Sequence, residues 1–290
     1  REVKRAVYEA LKVLSGSGSP EELLNSVIKG TKSVVGLKVN VYFGEPNNAT
    51  HPAVAYALAE LINKIGVNRN NIIIWDRAED ELNKANYQTN KSAKDVRCLA
   101  TLTHRNPRFA KPFIGYEDSP ITIGKAQVRL SKLVNMSNVI INMPVLRTYK
   151  FKDNTGISNA ITNMYHVVDI AEADMPFFYD NECNPGAAEI YNIPAIKTRT
   201  GLTVCDAIYP LYNGGPGDDQ RYHWRANAVI ASLDPVALDT VAQNIIQKYR
   251  DKVMPGEQPL KSAYLETCAK APYLLGASDI KQIDVIEREI

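Results

Sequence analysis

Only four cysteines occur in 290 residues, at positions 98, 183, 205 and 268, and no two share C-x-x-C spacing. Structural zinc sites and iron–sulfur clusters draw on closely spaced cysteines, so there is no iron–sulfur cluster motif and a structural zinc reading is weak. No run of five like charges occurs, and 34 basic residues nearly balance 32 acidic ones. A nucleic-acid binder ordinarily carries a basic stripe, so nucleic acid is not the expected partner. No stretch approaches the ~20 apolar residues that a membrane-crossing helix needs. The phosphate-cradling G-x-G-x-x-G and Walker A spacings are absent, as is the G-x-S-x-G nucleophile elbow. No two of the four histidines stand four apart, so a helix-borne metal pair is absent as well.

What is present is the patterning of a layered α/β protein. Residues 2–14 and 21–28 read as helices joined by the linker Ser15-Gly-Ser-Gly-Ser-Pro20, giving a helical segment over 1–30. Ser19 before Pro20 has the form of an N-cap followed by proline at the first helical position. Residues 31–290 then read as one α/β domain. Val34–Phe43 is rich in β-branched residues and predicts a strand, and Ile72–Trp75 is a short continuous apolar run. Between them, Val54, Ala57, Leu58, Leu61, Ile62 and Ile65 share one face of a helix over 52–65. The three together are a βαβ unit. Further strands are expected at Val139–Ile141, Leu202–Cys205, Ala228–Ala231 and 282–286, with a helix over 235–250. The expected fold is a mostly parallel sheet with helices on both faces, in Rossmann-like layers, and an irregular insertion near 87–125. Cys205 reads as a small core residue. Cys98 and Cys183 lie among polar residues and are candidates for a disulfide in an exported protein.

Ligands of open α/β sheets sit beyond the carboxyl ends of the strands. Asn40 interrupts the first strand, Asp76 and Arg77 follow the second, Asn142 follows Val139–Ile141, and Asp206 follows Cys205. These groups converge on one edge. Arg77 suits an anion, and Asp76 and Asp206 with Asn142 would make an oxygen-rich site for a divalent metal. Capping competes as an explanation for Asp206, and Asp234-Pro235 reads first as a cap. His51 opens the helix at 52. His166 ends Asn154–His166, an amide- and hydroxyl-rich stretch whose donors, Asn159 and Asn163 among them, suit a polar or anionic ligand. Because imidazole titrates near neutral pH, His166 and His51 are the candidate acid–base groups. The glycine-rich loop Asn213–Asp219 reads either as a mobile lid or as a plain surface loop.

Eight segments in order, among them Gly36-Leu-Lys-Val-Asn40, Ile72–Arg77, Ile140–Leu146, Thr155–Tyr165, Leu202–Ala207 and Ser232–Asp239, resemble the family catalogued as domain of unknown function 362. The likeness spans about 34–250. It implies an α/β fold without a general assigned reaction, and members resembling this chain are often preceded by a twin-arginine export signal. An extracytoplasmic location, periplasmic or secreted, is implied in turn. A remote similarity to the amino-terminal part of nickel-pincer lactate racemases accompanies it. Where members commonly have glycine and lysine in the glycine-turn segment, this chain has Asn159 and Thr162, leaving Lys150 or Lys152 as substitutes. Two readings follow. One is a metal-assisted enzyme acting on a small polar or anionic molecule. The other is a non-catalytic extracytoplasmic protein that binds a metal or small ligand.

Overall fold

All five residues Val35–Val39 are buried, as befits a strand covered on both faces. The structure, a computed structural model, describes residues 1–16, 18–150 and 154–290. Its strands run in chain order as β1 (Val35–Val39), β2 (Ile72–Ala78), β3 (Arg97–Leu102), β4 (Ile121–Ile123), β5 (Ala126–Leu130) and β6 (Val139–Met143). β7 (Val145–Lys150), β8 (Thr155–Ile157), β9 (Val168–Ile170), β10 (Thr200–Leu211) and β11 (Ala228–Ser232) follow. The main sheet has the order β3-β2-β1-β6-β10-β7-β8, with β11 also paired to β10. From β3 through β7 every pairing is parallel; β8 and β11 join antiparallel. β4, β5 and β9 make a small antiparallel sheet of their own.

Continuous apolar strands fit here because both faces of the sheet are covered. Ile72 and Ile74 join Leu37, Val39 and Ile141 against the helices α1 (Glu2–Leu14), α2 (Pro20–Ile28) and α3 (Pro52–Lys64). Ile73 and Trp75 point the other way, into a core shared with the small sheet and later helices. Those later helices are α5 (Lys132–Met136), α6 (Met175–Cys183), α7 (Gly186–Tyr191), α8 (Pro194–Lys197), α9 (Pro235–Val253) and α10 (Tyr264–Ala269), whereas α4 (Glu79–Lys84) packs its Leu82 into the first core. Two helix starts are fixed as their sequences imply. Ser19 and Glu22 form a reciprocal capping box on α2, and Asp234 accepts from Val236 and Ala237 N–H at 2.8 Å on α9.

Three expectations are corrected. The stretch near 87–125 is not wholly irregular, because β3 lies within it and pairs parallel to β2 at one end of the main strand order. Among the described residues no strand forms over 282–286. A strand needs a neighbour, and Val285 and Ile286 stay exposed without one. Cys98 and Cys183 do not pair: all four cysteines are free and buried, Cys98 within β3 and Cys183 at the end of α6.

Candidate functional site

β1 carries a lysine where its neighbours are apolar. Lys38 has no exposed surface, so its ammonium must be neutralised and hydrogen-bonded inside the protein. Its Nζ lies 2.8 Å from Asp76 Oδ1 and donates to Val39 O at 2.6 Å and Asn163 Oδ1 at 3.0 Å. The amide of Asn163 passes the chain on. Its Nδ2 donates to Asn142 Oδ1 at 2.7 Å, and Asn142 Nδ2 donates to Ala160 O at 2.8 Å. Asp76, at the far end of β2, also accepts from Val41 N–H at 2.8 Å and from its neighbour Arg77 N–H at 2.7 Å. Burial alone would raise this carboxyl, but Lys38 and His166 outweigh burial and hold it below the usual carboxylate range.

His166 sits above that pair, on the 3-10 turn Thr162–Val167. Its Nδ1 is 3.5 Å from Asp76 Oδ1 and its ring is 4.9 Å from that of Tyr42. Burial draws the imidazole down to about 4, against the attraction of Asp76, so the ring is neutral at pH 7. Tyr42 belongs to a sharp turn after β1, in which Phe43 has φ 71°. A non-glycine residue in that region is uncommon and needs support. The support comes from α4, whose Glu81 Oε1 accepts Phe43 N–H at 2.8 Å. Gly44 follows with φ 69°, and a Cβ there would stand 2.8 Å from Lys84 Cβ. Arg105 closes the turn from outside, 3.7 Å over the Phe43 ring, 4.7 Å over Tyr42 and 3.4 Å from Glu81. Burial, helped by the charge on Asp76, pushes Glu81 up to about 7.

Arg147 completes the site from β7. It is 1% exposed, donating through Nη1 to Asn48 O and through Nη2 to Asn40 Oδ1, both at 3.1 Å. Its Nε has no partner, and among the described residues no carboxylate lies within ion-pair distance. Burial lowers this guanidinium to about 10, which still leaves it charged at neutral pH. Arg77, Arg147 and His166 line a cleft of about 80 Å³, with Tyr42 and Tyr179 among the rings that border it. Two guanidiniums, Arg77 and Arg147, line it, and no carboxylate is among its described lining residues; Lys38 is paired with Asp76 and Arg105 with Glu81. The charge of the lining is positive. A larger open groove of about 450 Å³ lies between α1 and α3. Its Lys4 and Lys64 are surface residues already paired with Glu60 and Glu21.

Of the residues expected at the site, His166 and Arg77 border the cleft, and Asp76, Asn163, Asn142 and Asn40 form the layer connected beneath it. The others lie elsewhere. His51 caps α3, its Nδ1 accepting from Ala53 N–H, while its own N–H donates to Asp206 Oδ2 at 2.7 Å. Asp206 thus ties the start of α3 to β10, and its second oxygen accepts from Ile208 N–H. Asn159 is inside the core, with Oδ1 accepting from Cys205 Sγ at 3.2 Å. Lys150 is exposed at the end of β7, and Lys152 lies outside the described residues.

Asp76, Asp206 and Asn142 are not brought together around a common point. The oxygens of both carboxylates are committed to separate partners. Among the described residues no group of three or more histidine, cysteine, aspartate or glutamate side chains is arranged to hold a metal ion. The donors of the amide-rich stretch also face inward. Ala160 and Ile161 N–H donate to the buried carboxylate of Asp239 at 2.7 and 3.0 Å, so their anion is internal. The glycine-rich loop is held as a wall: Asn48 Nδ2 donates to Pro216 O, and Asp218 N–H donates to Glu45 Oε2. Lys38, Tyr42, Glu81 and Arg147 were not singled out from sequence. The signal for Lys38 is a charge inside a strand that is otherwise apolar, which implies a buried partner.

A comparison with curated proteins found no match. Among solved structures, the lactate racemase apoprotein from Thermoanaerobacterium thermosaccharolyticum is similar at 14% identity and a TM-score of 0.40, over 80% of this chain. The match covers 52% of that protein's chain, so this chain spans about half its length, and a likeness this slight carries nothing about the site. The sequence model described as Domain of unknown function (DUF362) matches residues 35–244, a range that holds β1 to β11 and every residue of the cleft named above. The chain belongs to that family.

Proposed function

We propose that this protein binds a small anionic molecule in the cleft between Tyr42, Arg147 and His166. The supporting observation is Arg147, a buried guanidinium bordering the cleft with no carboxylate within ion-pair distance among the described residues. A buried guanidinium with no carboxylate paired to it is costly, and an anion in the cleft would neutralise it. Arg77 supplies a second guanidinium, and Asn40 and Asn48 hold Arg147 in place. Isothermal titration with acetate, inorganic phosphate and sulfate tests the reading. One of these is expected to bind one-to-one. Arg147→Lys and Arg77→Gln should each weaken it about 10- to 100-fold, the worth of a charged hydrogen bond. Absence of binding by all three, or variants that bind like the wild type, would overturn it.

A catalytic reading is favoured by the contact between Asp76 and His166. With Nδ1 turned toward Asp76, the neutral ring offers Nε2 as a proton acceptor. It predicts that the wild-type protein exchanges a proton of its bound ligand with deuterium from solvent and that His166→Gln does not. Exchange in both would contradict it. The extracytoplasmic location rests on the family resemblance, and fractionation of cells expressing the protein checks it.

A further inference from the structure

Resting on the anion-binding reading, we infer that the ligand is an oxyanion carried on a flat aromatic body rather than on a sugar. The division of the lining is the first reason: Arg77, Arg147 and His166 can take the anionic head, and Tyr165, Tyr179, Ile157 and Cys183 are left to meet the rest of the ligand.

The second reason is what the wall offers there. Tyr165 has already given its hydroxyl to Phe178 O at 2.7 Å, so its ring is what remains to contact a ligand. Tyr179 packs 5.0 Å from Tyr165 and is 39% exposed, a large ring left partly open beside a cationic site. Ile157 and Cys183 add apolar surface to the same cleft. The hydroxyls of Ser158 and Thr162 are engaged with each other at 3.2 Å, and Thr162 also donates to Asn159 O. A polyhydroxyl body would lose water here and meet few free partners, at a cost per group comparable to a lost hydrogen bond. An aromatic body would instead meet ring faces and edges, which favour offset or edge-on packing.

The test is a titration series at constant charge: benzoate, cyclohexanecarboxylate and acetate, with glucose 6-phosphate as the sugar-borne anion. Benzoate is expected to bind at least 10-fold more tightly than cyclohexanecarboxylate or acetate, and glucose 6-phosphate more weakly than inorganic phosphate. Tyr179→Ala should bring benzoate to within about two-fold of cyclohexanecarboxylate, removing most of the aromatic advantage. A near-unfolded variant would weaken acetate as well, and Tyr179→Leu, which keeps bulk but no ring, then serves in its place. Equal affinity for the three carboxylates, or glucose 6-phosphate binding more tightly than phosphate, overturns the inference and leaves anion binding standing. Failure of every probe overturns both.

Discussion

Asp76 on β2 and Asp239 on α9 are both buried carboxylates, yet they are neutralised in different ways. Asp76 faces an ammonium at 2.8 Å and an imidazole at 3.5 Å, in a neighbourhood where cations outnumber carboxylates. Asp239 faces backbone N–H groups of Ala160 and Ile161 and the hydroxyl of Tyr264 at 3.2 Å, with no cation in ion-pair contact among the described residues. Burial pushes Asp239 up to about 7, while Lys38 and His166 hold Asp76 charged. The difference teaches that a buried carboxylate marks a ligand site only when its surroundings leave charge to spare. Around Asp239 the donors match the acceptor and the region is closed; around Asp76 the surplus faces a cleft.

The sharpest break of this comparison is the same exchange made at both positions. Asp76→Asn strands the ammonium of Lys38 in the interior and should cost about 3–5 kcal/mol in urea unfolding, as should Lys38→Met by stranding Asp76. Asp239→Asn keeps one acceptor oxygen but turns an NH2 toward the other backbone N–H, and should cost about 1–2 kcal/mol. Asp239→Ala leaves the two N–H groups and the Tyr264 hydroxyl unmet and should cost about 3 kcal/mol. Equal costs for the two asparagine variants would erase the distinction.

The pH dependence separates the regions further. His166 falls from its ordinary 6.5 to about 4 on folding, so between those values the unfolded chain binds more protons and stability rises with pH. Glu81 and Asp239, pushed up to about 7, work the other way from about pH 4 to 7, where the folded chain holds protons the unfolded chain has released. Subtracting the His166→Gln stability curve from the wild-type curve isolates the first contribution. The difference should grow by about 2–3 kcal/mol between pH 4 and 6.5, and a flat difference would contradict the assignment.

The smallest effect belongs to His51. It acts as the cap of α3, so His51→Ala should cost about 1 kcal/mol in stability and leave anion affinity unchanged in calorimetry. A loss of affinity would return it to the site.

These regions were unequally legible in the sequence. The apolar runs of β1, β2, β6 and the start of β10 predict their own strands, and Asp76 with Arg77 stands out because charge abuts such a run. The partners of those groups do not stand out. Lys38 meets Asp76 at a distance of 38 positions in the chain and Asn163 at 125, contacts fixed by strand order and by the return of the 162–167 turn over the sheet. β6 and β7 are separated only by Pro144, yet β10 pairs with both, so Arg147 reaches Asn40 by a route that no local pattern announces. His51 and Asp206 also meet across the fold, but their contact is a backbone cap, and residue type alone does not distinguish that from a catalytic pair.

The central claim, that the cleft above Asp76 has positive charge to spare, is tested most directly by NMR of the His166 ring nitrogens during an acetate titration at pH 7. The account predicts a neutral imidazole with the proton on Nδ1, and a saturable shift of Nε2 as acetate enters, absent in Arg147→Lys at the same concentration. An imidazolium at pH 7 before any anion is added, or ring nitrogens indifferent to acetate throughout, would contradict it.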